Sequence, residues 1–152
     1  MNRTAKALLL VAVAAVAVSG CGSPRHTITG TVTLQAQPDP FSPGGYSDLS
    51  AATSDGASCS GTGGFSDVAG GSGVTVRDGS GTVIATGSLS AGTGSGGTCT
   101  FSISGVGVPD GNGVSVPEVP FYQVTVGHRN PATYSLAEMQ SDGWNISLTI
   151  SG

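Results

Sequence analysis

Four runs of this chain alternate in side-chain character with a period of two. Thr27 to Leu34 sets Ile28, Val32 and Leu34 among threonines, and Thr98 to Ser104 sets Cys99, Phe101 and Ile103 on one face. Phe121 to Gly127 does the same with Tyr122, Val124 and Val126, and Trp144 to Ile150 alternates near the end of the chain. Successive side chains of a strand point to opposite faces, so each run predicts a half-buried β-strand. Two further β-rich runs, Val74 to Arg77 and Thr82 to Leu89, flank Asp78-Gly79-Ser80-Gly81, which predicts a hairpin.

The segments between these runs are rich in glycine, serine and threonine. Gln35 to Gly73 holds Pro38, Pro40 and Pro43 and no clear period, so it reads as a long irregular insert. Ser90 to Gly97 reads as a loop. Gly105 interrupts the phase of its strand, and Val106 and Val108 resume it before the Asp110-Gly111-Asn112-Gly113 turn. The one helix expected is Leu136 to Ser141, with Ser135 as its cap, Glu138 completing a capping box and Gly143 stopping it. The expected fold is all-β: a single antiparallel β-sandwich of six or seven strands, with one short helix and long Gly/Ser-rich loops.

The first twenty residues have a different character. Arg3 and Lys6 precede Ala7 to Val18, twelve apolar residues without a charge, and the run Val18-Ser19-Gly20-Cys21 follows. Twelve residues at about 1.5 Å each cannot cross a hydrocarbon core of about 30 Å. The layout is that of a secretory signal. Its final four residues resemble the lipobox of bacterial prolipoproteins, in which the cysteine receives a diacylglyceryl group. That resemblance implies a signal peptide over 1–20 and lipid on Cys21. The expected division is 21–27 as lipidated cysteine and tether, and 28–152 as the sandwich. The expected location is the extracytoplasmic face of a bacterial cell membrane, reached through the lipid.

Beyond Cys21 the chain has three arginines, Arg25, Arg77 and Arg129, against nine acids, for a net charge of −6. An acidic domain without a basic patch excludes nucleic acid as a natural partner. It is also not drawn by charge to an anionic bilayer, which leaves anchoring to the lipid. With Cys21 lipidated, Cys59 and Cys99 remain. A pair in an exported chain reads as a disulfide, with two free thiols or a metal pair as alternatives. No histidine lies near enough in sequence to make these two a good zinc site.

Signals for chemistry are sparse. Gly92-Thr93-Gly94-Ser95-Gly96-Gly97 matches the dinucleotide fingerprint by letters, but it precedes a strand rather than a helix. His128-Arg129-Asn130-Pro131 shares letters with a kinase catalytic loop, with Asn130 where that loop needs its aspartate. His26 falls in the expected tether. His128, Arg129, Tyr134 and Glu138 make one possible polar ligand site at an end of the sandwich. Asp110 with Asn112, and the Asp78 turn, lack the further carboxylates a calcium loop requires. Asn145-Ile146-Ser147 has the glycosylation pattern but lies inside an expected strand. No metal, cofactor or catalytic residue is expected. Gly45-Tyr46-Ser47-Asp48 recurs as Gly64-Phe65-Ser66-Asp67, which reads either as two turns anchored by an aromatic or as a duplicated recognition element.

The stretch from Val74 to Val126, with its VTVRDGSGTVIATGSL hairpin and YQVTV strand, resembles the transthyretin-like or collagen-adhesin-B-like modules of bacterial surface proteins. The whole mature chain is similar to small lipoproteins of high-GC Gram-positive bacteria, a group that implies no particular activity. The function expected from all this is a lipid-anchored, non-enzymatic module that meets an envelope protein or a glycan. The alternatives are a small lipid-anchored hydrolase using His128 and a purely structural or antigenic surface protein.

Overall fold

A computed structural model describes residues 24–41, 45–50, 55–105 and 111–151. Cys21 and the signal segment lie outside the described residues, as do Val106, Val108 and Asp110. The elements in chain order are β1 (Arg25–Gln35), β2 (Leu49–Ser50), β3 (Ser58–Gly61), β4 (Gly73–Asp78), β5 (Val83–Leu89), β6 (Gly92–Ser95) and β7 (Thr98–Gly105). Then come β8 (Val114–Pro117), β9 (Phe121–Val126), β10 (Ala132–Ser135), α1 (Leu136–Ser141) and β11 (Asn145–Ser151). The described residues are all-β with one short α-helix, as the alternation and the capping signal predict.

One hydrogen-bonded path runs β10-β9-β4-β5-β7-β6-β3-β2, and β1 joins it through β7. β1 serves two layers. Its first half, Arg25 to Ile28, pairs with β8, and its second half, Thr31 to Gln35, pairs with β7. Gly30 lies between the halves, where a Cβ would come within 2.1 Å of the Ile146 carbonyl oxygen. Only glycine permits that approach. Among the described residues every pairing is antiparallel except one: β1 runs parallel to β11, in register from Thr29–Asn145 to Gln35–Ser151. The sheet is thus mostly antiparallel, as expected, with one parallel pair at this edge.

The inward faces are those the alternation marked. Ile28, Val32 and Leu34 of β1, Cys99, Phe101 and Ile103 of β7, and Tyr122, Val124 and Val126 of β9 are buried, with Val74 and Val76 of β4 beside them. Each such side chain contributes roughly 1.5–3 kcal/mol through removal from water. The helix follows its sequence signal. Ser135 accepts from the Glu138 backbone N–H, and the Glu138 carboxylate accepts from the Ser135 N–H. Met139 fixes its one turn and a half to the core.

Three boundaries differ from expectation. β1 begins at Arg25, so His26 lies in the first strand. The segment 35–73 is not wholly irregular: it holds β2 and β3, and Leu49, Cys59, Phe65 and Val68 are buried. Gly92–Ser95 is a strand rather than a loop. β6 lies between β3 and β7, and Cys59 and Cys99 form a disulfide over it with their Cα atoms 5.9 Å apart. Two flat strand spacings would separate them by about 10 Å, so the sheet folds sharply at β6. A Cβ on Gly92 would lie 2.6 Å from Cys99 Sγ and 2.5 Å from the Cys59 carbonyl oxygen. The glycines of this run make room for the bridge.

Candidate functional site

His128 and Arg129 occupy the turn after β9, while Glu138 lies in α1, beyond the far end of β10. The four residues of β10 span about 14 Å, so the structure does not bring His128, Arg129, Tyr134 and Glu138 to one point. Each has its own setting. The His128 backbone N–H donates to Asp67 Oδ2, and the residue is exposed. Glu138 is bonded to Ser135 in the capping box, which holds its carboxyl below the usual range. Tyr134 is half-buried, and burial, with Asp142 and Glu138 nearby, pushes its hydroxyl up.

Arg129 instead clasps the second Gly-aromatic-Ser-Asp segment. Its Nε donates to Asp67 Oδ2 at 3.0 Å, its Nη2 donates to Asp67 Oδ1 and to the Gly64 carbonyl, and its guanidinium carbon lies 4.7 Å from the Phe65 ring centroid. The bond from Arg129 holds the Asp67 carboxyl below its ordinary value. Phe65 is buried, and the matching Tyr46 lies over Gly97, where a Cβ would come within 2.5 Å of its ring. Both aromatics point into the domain. Thr62, two residues before the second segment, donates its N–H to the Asp48 carbonyl and its hydroxyl to the Ser47 carbonyl of the first. The two segments are turns with an aromatic anchor.

A second polar cluster, which the sequence did not reveal, lies at the entry of β1. The His26 ring stacks on Trp144 at 3.9 Å, and its Nε2 is 3.2 Å from Glu118 Oε2. Trp144 meets Tyr122 edge to face at 5.6 Å. The Tyr122 hydroxyl donates to the Pro117 carbonyl and accepts from the Val119 N–H, and burial raises its pKa. Every polar atom of this cluster named here has a partner within the domain, so the cluster closes this end of the sandwich.

The surface is otherwise sparing in large apolar groups. Among the described residues only Phe41, Phe121 and Val83 are large, apolar and exposed, at 94%, 50% and 45%. Phe41 follows β1, on a loop whose base is closed by the Pro38–Tyr46 bridge and the Asp39 N–H bond to the Gly45 carbonyl. β1 has eleven residues, so its ends stand up to about 33 Å apart, and Phe41 follows the end away from Arg25. A groove of about 170 Å³ opens between Val124, Val126 and Ala132 on one side and Leu148 and Ile150 on the other. It is smaller than the roughly 300 Å³ at which small-molecule pockets begin. Among the described residues no group of three or more His, Cys, Asp or Glu is placed to hold a metal. No family model, curated protein or solved structure matches the chain.

Proposed function

We propose that this chain is a lipid-anchored envelope lipoprotein whose β domain is a non-enzymatic interaction module, held at one end by Cys21 and meeting its partner at the other. The observation that carries the reading is Phe41, an almost fully exposed aromatic on the loop end of β1, opposite the end at which the chain enters. An aromatic side chain offers a large contact area at small entropic cost and is a common anchor of protein interfaces. The loop that carries it is braced by Tyr46 over Gly97, so the anchor sits on a supported base. The partner class that fits is an envelope protein or a glycan with an apolar face.

The test has two parts. The intact mass of chain extracted from its native membrane is expected to begin at Cys21 with added acyl mass. A photoreactive phenylalanine analogue at position 41 is expected to give a defined crosslink in intact cells. The same analogue at the exposed Thr86, on the face of β5, should give none. Equal, diffuse crosslinking from both positions would overturn the interaction reading.

A further inference from the structure

The other two exposed apolar side chains lie together at the opposite end. The Glu118 N–H donates to the Pro24 carbonyl, and Arg25 pairs with Pro117, which fixes where the chain enters the fold. Phe121 is four residues beyond Pro117, hence within about 14 Å of it. The Asp78 turn lies beside it: Asp78 is in register with Tyr122, and a Cβ on Gly79 would stand 3.7 Å from Phe121 Cβ. Val83, across from Arg77, closes the same tip. The charges there are largely committed. Asp78 accepts from the Ser80 and Thr82 N–H groups and from the Ser80 hydroxyl, and Glu118 faces His26. Arg25 donates to Ser115, and Arg77 to the Gly81 carbonyl.

We infer that this tip, with Phe121 and Val83 foremost, seats on the surface of the bilayer and fixes the domain upright. The inference rests on lipid attachment at Cys21. From Cys21 to Pro24 is three residues, a reach of at most about 11 Å, so Pro24 stays at the surface of a bilayer that holds Cys21 and the tip stays within roughly 30 Å of it. Phenylalanine buries at the boundary of headgroups and acyl chains, and arginine stems lie along apolar surface there. Arg25 and Arg77, two of the three arginines after Cys21, flank the tip. One phenylalanine would not hold a free domain on a membrane. A tether this short supplies the local concentration that makes so weak a contact count.

The experiment places a tryptophan at position 121, 83 or 41 and anchors each chain to vesicles of phosphatidylcholine and phosphatidylglycerol with brominated acyl chains. The full chain is expressed so that its own processing occurs. If its mass shows acylation it is reconstituted directly. If it does not, the lipoprotein reading falls, and the Cys21 thiol is coupled to a maleimide lipid so that the seat is still read. Against the constant background of Trp144, bromine is expected to quench Phe121→Trp and Val83→Trp several-fold more than Phe41→Trp. Equal quenching at 121 and 41, or none at either, overturns the seat. Emission at 121 that changes only with protein density, without bromine quenching, makes a second copy of the chain the occupant and overturns it as well.

Discussion

The imidazole of His26 lies flat on the indole of Trp144, with ring centroids 3.9 Å apart and planes 5° from parallel. Trp144 reaches this position with φ of 62°, the only described non-glycine residue in the left-handed region. Its N–H bonds to the Met139 carbonyl and its carbonyl accepts from Thr29, so helix, turn and β1 together hold the strained backbone. The left-handed conformation costs an ordinary residue about 1–2 kcal/mol, and glycine almost nothing. Trp144→Ala loses the stack and keeps the strain; Trp144→Gly loses the stack and releases it. Chemical denaturation is expected to show both variants destabilised, with alanine the worse by about 1 kcal/mol.

Asp67 and Arg129 should make stability fall in acid. A carboxyl whose folded pKa is depressed contributes stability above its ordinary value of about 3.9, and loses it as pH falls through the lower folded value. The Arg129 bond sets that direction here. Asp67→Asn is therefore expected to lower the denaturation midpoint at pH 7. The gap from the unaltered chain should narrow as pH drops below the ordinary carboxylate value. A gap independent of pH would mean that the ion pair has no part in it.

The disulfide should contribute about 4 kcal/mol by the chain-entropy relation for a loop closed over a separation of 40 residues. Replacing Cys59 and Cys99 together with serine is expected to remove that amount in a urea titration. Gly92→Ala should interact with this change. With the bridge present the new methyl meets Cys99 Sγ, the Cys59 carbonyl and Phe101 Cε1, so the cost is large. Without the sulfur-sulfur bond that cost should be smaller, and a double-mutant cycle reads the difference.

The capping box offers a smaller effect. Ser135→Ala removes the acceptor for the Glu138 N–H and is expected to cost about 1 kcal/mol. Glu138→Gln keeps the reciprocal hydrogen bond with a weaker acceptor, so its cost should be lower at pH 7 and vanish in acid. Thermal unfolding at two pH values distinguishes the variants.

The alternating strands β1, β7, β9 and β11 could be read directly, as could β4 and β5 from the Asp78-Gly79 turn between them and α1 from Ser135 and Glu138. β6 could not, because Gly92 and Gly94 have no side chains with which to mark a period. Their burial follows from the disulfide over them, a long-range fact. β8 and β10 have four residues each, too few for a period to stand out. Arg129, named in the sequence as one of four residues of a possible site, turns out to partner Asp67, sixty-two positions away. The His26–Trp144 stack was hidden for the same reason: a separation of more than a hundred residues leaves no local trace. What the letters did carry for the surface was only Phe41, Phe121 and Val83 as apolar residues. Their exposure is a property of the fold.

The parallel pairing of β1 with β11 has a consequence in time. Thr29 and Asn145 are neighbours although 116 positions apart, and the strands on either side of that bond are the first and the last of the described strands. Contacts of such long range form slowly, because the loop must close before they contribute. While a chain is being synthesised, β1 can find β7 and β8, but its remaining edge, Thr29 to Gln35, stays open until the final strand exists. An unpaired edge of that length is a template for a neighbouring chain. Loss of the last seven strand residues would therefore leave a nearly complete core with a persistent sticky margin, and such a chain should fail by association rather than by unfolding.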